Sequence, residues 1–251
     1  MKLALLSDVH ANLRALRACM AHAQAAGATR FALLGDLVGY GAEPGAVVDE
    51  AMALAAQGAI VLRGNHDEAA LAPPAQANTA EAATAAWTHA QLSPAQREFI
   101  TTLPLTAALG SAYFVHASAH EPAAWHYIDS ARRAAQCLDA AVAQDARVRH
   151  VFCGHVHEQC LYYRGRGREL MPFEPVPGAP TMVPASRLWL ATIGSVGQPR
   201  DGDPRAMYAL FDTAQAKLTF HRVPYDHPGA AEAIRRAGQP EAFARRLEEG
   251  R

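Results

Sequence analysis

Five short polar clusters, each closing an apolar stretch, constrain this chain more than any other feature: Asp8 and His10 in SDVH, Asp36 in GDLVGYG, Asn65 and His66 in GNHD, His116 in VHAS, and His155 with His157 in GHVH. Taken singly, each has an ordinary reading as a helix cap or a turn. Together, in this order, they supply enough oxygen and imidazole ligands for two metal ions.

The stretches before them alternate between strand and helix. Residues 2–6 read as a buried strand, and 13–26 as an amphipathic helix with Leu13, Leu16, Met20 and Ala23 at helical spacing. Residues 31–34 follow as a strand, 44–57 as a helix and 60–62 as a third strand. This alternation implies parallel strands joined by helical crossovers, in which ligand chemistry collects beyond the carboxyl ends of the strands. Asp8, Asp36 and Asn65 fall there.

An alanine-rich stretch over about 68–103 breaks the pattern, with Ser93, Pro94 and Gln96 making a capping-box start, and reads as a helical insertion beside the site. Strand character returns over 113–116, a helix over 130–144 and a strand over 148–153. Antiparallel strands are then expected over 161–164, 169–173, 188–193, 207–212 and 217–223. Five prolines in residues 172–184 indicate a loop or hairpin tip. Two charged helices, about 227–250, close the chain, with their arginines expected on a solvated face.

With 251 residues, half of them hydrophobic, the chain can bury a full core, and residues 1–251 are expected to form one domain. A formal net charge of −1 provides no global field to gather polyanions, so nucleic acid is not an expected partner. Cys19, Cys137, Cys153 and Cys160 lack CxxC spacing and a compact disulfide framework, which fits a reducing cytoplasm. The first residues are apolar only as far as Leu6, too short for a signal-peptide core or a membrane span.

Aspartate and neutral imidazole are common ligands of divalent first-row metals, and a carboxylate can bridge two cations through its two oxygens. Asp36 is the candidate bridge. Asn65 adds a carbonyl oxygen without adding charge. Two ions about 3.5–4 Å apart can stabilise both the attacking and the leaving oxygen in phosphate ester hydrolysis, and coordination lowers the pKa of water from 15.7 to about 7. A leaving alkoxide still needs a proton. His66, directly after Asn65, is the candidate general acid, with Asp67 a candidate to orient its imidazole.

These blocks resemble the calcineurin-like metallophosphoesterases, whose pattern is D-x-H, G-D, G-N-H-D/E, a lone His, and G-H-x-H. The match spans Asp8 to His157. The resemblance implies a two-sheet α/β/β/α sandwich with a helical insertion. It implies that Asp8, His10, Asp36 and His157 hold one metal, that Asp36, Asn65, His116 and His155 hold the other, and that His66 is catalytic. The implied cofactors are two divalent or mixed-valence ions. Mixed oxygen and nitrogen ligation favours Mn or Fe, with Zn, Ni and Mg as alternatives.

Two departures narrow the expectation. Protein-phosphatase members carry GDxVDRG and GNHE, whereas GDLVGYG and GNHD lack the arginine, which disfavours phosphoprotein substrates. Ala117 stands where many bacterial members have glycine. The segment GSVGQPR, residues 194–200, resembles the final site loop of small bacterial members. Its glycines would let backbone amides approach a phosphate, and Arg200 would add a bidentate contact.

The resulting expectation is a cytoplasmic metallophosphoesterase acting on a small phosphorylated molecule, a phosphodiester, phosphomonoester or nucleotide. A diadenosine tetraphosphate hydrolase is the alternative within the class, and a non-catalytic protein-binding scaffold of the same fold is the alternative outside it. Tyr40 and Asn12 are expected either to face substrate or to serve packing and capping. Trp87, Trp125 and the remaining histidines are read as structural.

Overall fold

A computed structural model of the chain describes residues 1–76, 78–165 and 170–251. The chain opens with β1 (Lys2–Leu6), α1 (Leu13–Ala25), β2 (Arg30–Leu33), α2 (Pro44–Ala56) and β3 (Ile60–Val61), the alternation read from sequence. Three helices follow: α3 (Asn65–Leu71), α4 (Ala80–Gln91) and α5 (Pro94–Thr102). Next come β4 (Thr106–Leu109), β5 (Ala112–Val115), a 3-10 turn at Pro122–Ala124, α6 (Ala131–Gln144) and β6 (His150–Cys153). The chain ends with β7 (Gln159–Arg164), β8 (Leu170–Phe173), β9 (Pro180–Met182), β10 (Leu188–Ile193), β11 (Ala206–Asp212), β12 (Lys217–Val223), α7 (His227–Arg236) and α8 (Glu241–Glu249).

These strands form two six-stranded mixed sheets, in the orders β3-β2-β1-β11-β12-β9 and β4-β5-β6-β10-β7-β8. The period-two alternation of side chains sets the layering. Leu3 and Leu5 of β1 join Phe114, Phe152, Phe211 and Phe220 in an apolar layer between the sheets. Ala4 and Leu6 face the other way, into a cluster with Leu16 of α1 and Val47, Val48 and Ala51 of α2. On the second sheet, Tyr113, Val115, Val151 and Cys153 pack against Cys137, Leu138 and Ala141 of α6. The result is the α/β/β/α layering that the resemblance implied.

The two halves of each sheet differ in direction. β1, β2 and β3 are parallel neighbours, as are β5, β6 and β10, whereas β11, β12 and β9 on one sheet and β7 and β8 on the other add antiparallel edges. The carboxyl ends of the parallel strands of both sheets carry the polar clusters.

Several sequence readings are refined. The proline-rich stretch holds strand as well as loop: Pro172 and Phe173 end β8, and β9 pairs with β12 through Pro180 opposite Thr219. Both prolines lie on edge strands, where one side of the backbone has no ladder to join. The β4 strand was not anticipated; its half-exposed TAAL sequence has little alternation. The expected strand start at Glu169 lies outside the described residues. The helical stretch begins earlier than 68, because Gly64 caps α3 and places Asn65, His66 and Asp67 in its first turn. Ser93 and Gln96 form the anticipated capping box, and Gln96 also donates to Gly45 O (3.0 Å) and Asp49 Oδ1 (2.7 Å), tying α5 to α2. No helix is long and apolar enough to cross a membrane among the described residues.

Phe152 stacks on Phe114 (centroids 5.8 Å apart) and packs against Phe211 (5.1 Å) between the sheets. Phe152→Ala should lower unfolding stability by about 3–5 kcal/mol, read from the shift of the denaturant midpoint. His221 packs its ring on Tyr208 (4.7 Å), and burial, with the charge of His22, pushes its pKa down to about 4. The folded chain therefore resists a proton that the unfolded chain takes up near pH 6.5. Stability linked to His221 is full above about pH 6.5 and lost as pH falls towards 4; His221→Gln should flatten that part of the stability profile in urea titrations.

Candidate metal centre

Each polar cluster sits on the turn that ends a parallel strand, and the turns are built from unusual backbone. Asp8, His10, Asp36, His155 and His157 all have positive φ, between 50° and 68°. Asp and His tolerate the left-handed region better than most residues, but five such residues at one site are costly unless the surroundings hold them. Hydrogen bonds between the loops do so. Asp8 N donates to Gly35 O (3.0 Å), His10 N to Asp36 O (3.0 Å), and Gly154 N to His116 O (2.8 Å).

The two aspartates divide their oxygens. Asp8 Oδ2 accepts from His155 N (2.9 Å), crossing from the first sheet to the second, and Asp36 Oδ1 accepts from His66 N (2.8 Å). Their remaining oxygens face the imidazoles. Asp8 Oδ1 is 3.2 Å from His157 Nε2 and 3.8 Å from His10 Nε2. Asp36 Oδ2 is 3.8 Å from His10 Nε2 and 3.3 Å from His116 Nε2. Asp8, His10 and His157 form one buried group, and Asp36, His116 and His155 a second; in each, the ligand atoms lie within 4.8 Å of one another. Asn65 Oδ1 joins the second group, 3.1 Å from His116 Nε2.

The donor set fits cations. Nδ1 of His10 donates to Val38 O (3.1 Å), Nδ1 of His116 to Leu34 O (2.9 Å) and Nδ1 of His157 to Gln198 O (2.6 Å). A carbonyl only accepts, so each neutral ring carries its proton on Nδ1 and turns the Nε2 lone pair inwards, the arrangement that metal-binding histidines adopt. The lone pairs of His10 and His157 then face each other across 3.0 Å. Asp8 Oδ1 and His155 Nε2 are buried without a hydrogen-bond partner. A positive ion at each group would satisfy all of these atoms.

Electrostatics separates the groups further. Burial opposes charge on Asp8 and Asp36, but neighbouring histidines, His157 for Asp8 and His116 for Asp36, hold both carboxyls well below the usual range. Burial and nearby imidazoles push His10 well down, and push His155 down to about 4. His66 is lowered chiefly by burial. His116 moves against burial, up to about 9, because Asp36 stands beside it. Burial and the Asp36 charge raise Asp67 to about 7.

His66 lies beside the first group, with its ring 5.1 Å from that of His10 and 4.5 Å from Tyr40. Asp67 is not bonded to that imidazole. Its oxygens accept from Gly64 N (2.9 Å) and Val38 N (3.1 Å), because the third residue of a helix can reach back to its cap. Asp67 thus fastens the Asp36 loop to the start of α3 and acts on His66 only through the backbone. Gly39, with φ of 94°, leaves the room that the His66 ring occupies; a Cβ there would lie 3.0 Å from His66 Nδ1.

The 194–200 loop closes the site from behind. Gly197 N donates to Asp8 O (2.9 Å), and any Cβ at Gly197 would strike Val9 O, so this glycine serves backbone-to-backbone approach rather than presenting its amide to a phosphate. Ser195 Oγ donates to Asp8 O (2.8 Å), while Gln198 O fixes His157. Arg200 bonds Gln198 Oε1 (2.9 Å) and lies over the Tyr40 ring (5.9 Å). Asn12 caps α1 and bonds Gly197 O, while Tyr40 packs on His10 (4.8 Å).

Two aromatic residues adjoin the second group: Tyr127, which the sequence reading did not consider, and Trp125, which it took as structural. Tyr127, half exposed, stacks on His155 with centroids 4.0 Å apart, and Trp125 meets His116 edge-on at 5.8 Å. Their only signal in sequence is their position shortly after the fourth cluster. The carbonyls of Leu34, Val38 and Gln198 left no signal, since backbone acceptors are independent of side-chain identity.

A Cβ at Gly154 would fall on Ser7 Oγ and on Asp8 Oδ2, the oxygen that accepts from His155 N. Gly154→Ala should therefore displace Asp8 and lower the metal content of the metal-loaded protein relative to the unsubstituted chain, measured by mass spectrometry.

Comparison with known proteins identifies the family and the fold. The chain is 34% identical to a metallophosphoesterase from Sphaerobacter thermophilus whose crystal structure superposes with a TM-score of 0.87, covering 100% of this chain and 99% of that one. The hypothetical protein PH1004 from Pyrococcus horikoshii OT3, 19% identical, shares the fold with a TM-score of 0.75 over 100% and 98% of the two chains. The uncharacterized protein MJ0912 of Methanocaldococcus jannaschii is 30% identical over 255 residues, 99% of this chain and 98% of that protein. Residues 1–216 match the calcineurin-like phosphoesterase superfamily domain, and the chain belongs to that family.

Proposed function

We propose that this protein is a dinuclear metal-dependent hydrolase of small phosphate esters, with residues 1–251 forming one domain around one centre. The observation that carries the reading is the position of Asp36 Oδ2, which faces His10 of one ligand group and His116 of the other. Asp8, His10, Asp36 and His157 would hold one ion; Asp36, Asn65, His116 and His155 would hold the other. When bound, the two ions polarise the phosphoryl oxygens and activate water.

The chain's own residues do the rest. His66 is the proton donor to the leaving oxygen, held by the hydrogen bond that its backbone N–H donates to Asp36 Oδ1 and by the space at Gly39. Asp67 positions it through the backbone of the Asp36 loop. Arg200, over Tyr40 at the rim, binds a substrate oxygen. Mixed oxygen and nitrogen ligands favour Mn or Fe over Zn, Ni or Mg. Four cysteines without disulfides fit action in a reducing cytoplasm.

The test is hydrolysis of p-nitrophenyl phosphate and bis-p-nitrophenyl phosphate by protein loaded with Mn²⁺, with diadenosine tetraphosphate assayed alongside. His66→Ala should lower kcat by about 10²–10⁴ while metal content holds, and Asp36→Asn should lower metal content itself. Turnover that survives both substitutions together would remove the centre from the reaction.

A further inference from the structure

The rim beside His66 carries two guanidiniums: Arg200, which the hydrolytic reading already places on a substrate oxygen, and Arg246, which has no part in it. Tyr40, itself in left-handed backbone, lies between the centre and the C-terminal helices, in contact with His10, His66 and Phe243 of α8 (centroids 4.8, 4.5 and 5.0 Å). Arg200 covers it from the 194–200 loop at 5.9 Å, and Arg246 of α8 covers it at 5.8 Å while also lying over Phe243 at 5.6 Å. Both arginines are partly exposed, and neither forms an ion pair among the described residues. This differs from Arg235 on α7, which is neutralised by Glu241 and Glu248. Arg246, expected on a solvated face, is partly exposed but also lies over two aromatic rings.

The packing that puts Arg246 there is apolar. Ala230, Ala231 and Ile234 of α7 and Phe243, Ala244 and Leu247 of α8 form one cluster with Tyr40. Two cations without carboxylate partners stand 5.9 and 5.8 Å from the centre of one aromatic ring, and an anion that met both guanidiniums would relieve their repulsion. Glu81, exposed in the first turn of α4, also acts on Tyr40, but it pairs with neither guanidinium.

The opposite side of the centre has the reverse charge. Beyond Tyr127 and His155 lies a cavity of about 320 Å³ lined by Asp129, Glu158, Tyr162 and Thr192. A second phosphate would meet two carboxylates there. On the Tyr40 side it would meet two arginines.

We propose that Arg246 and Arg200 form a subsite for a phosphate carried by the leaving group, so that the preferred substrates are those whose departing fragment is itself phosphorylated, such as nucleoside diphosphates and polyphosphates. The proposal rests on the phosphoesterase reading. In the reaction, water gives up one proton to solvent, from which His66 is later reprotonated, its oxygen bonds to the scissile phosphorus, and the bridging P–O bond breaks. Its electron pair stays on the bridging oxygen, which takes the proton of His66 and departs past Tyr40 under the guanidiniums.

The experiment compares ADP, which releases AMP, with p-nitrophenyl phosphate, whose leaving group carries no phosphate. The ratio of kcat/KM for ADP to that for p-nitrophenyl phosphate should fall about tenfold in Arg246→Met, which keeps the apolar stem, and partly recover in Arg246→Lys, which keeps the charge. Binding of methylenediphosphonate to the metal-loaded protein, measured by calorimetry, should weaken about tenfold in Arg246→Met. An unchanged ratio together with unchanged diphosphonate affinity would overturn the subsite. If the metal-loaded protein hydrolyses neither ester, the phosphoesterase reading fails, and the diphosphonate affinities alone decide whether the subsite exists.

Discussion

The hydrogen bond from the His155 amide to Asp8 Oδ2 is the join on which the site depends. It links the end of β1 in one sheet to the end of β6 in the other, and leaves the second oxygen of Asp8 facing His10 and His157. The sandwich brings the two sets of strand ends to the same edge, and this bond sets their separation. Gly154 has no side chain because none fits between Ser7 and Asp8 at that crossing. The same logic repeats at Asp36, whose Oδ1 holds the start of α3 through His66 N.

The site thus concentrates unfavourable features that the remainder of the fold must hold in place. Five left-handed Asp and His residues, the buried carboxyl groups of Asp8, Asp36 and Asp67, and inward-facing imidazole lone pairs converge in a small volume. Each is destabilising alone. The apolar layers on both sides of each sheet and the bonds between loops offset that cost, and cations at the two groups would satisfy the remaining polar atoms.

Much of this was legible in the sequence because it rests on side-chain identity. The layers follow from alternating apolar residues such as Leu3 and Leu5 against Ala4 and Leu6, and the candidate ligands from Asp, Asn and His at strand ends. What escaped was decided by backbone geometry or by distant packing. Asp67 turned to the amides of Gly64 and Val38 because it is the third residue of a helix whose start depends on Gly64. Gly197 approaches Val9 O, which no local pattern reveals. Arg246 reads as a surface residue of a charged helix until Phe243 and Leu247 seat that helix beside Tyr40.

The residue that orients His157 is Gln198, more than forty positions later in the chain, and its carbonyl is delivered only after β10 has been inserted between β6 and β7. A nascent polypeptide emerging from the ribosome exposes Asp8, His10 and Asp36 many seconds before that carbonyl exists, at synthesis rates of about 5–20 residues per second. Early ligands alone cannot form the pocket. A metal ion would thereby meet the complete ligand set only late in synthesis, after β10 is in place, so that the choice of ion would fall to a nearly finished scaffold rather than to a loose peptide.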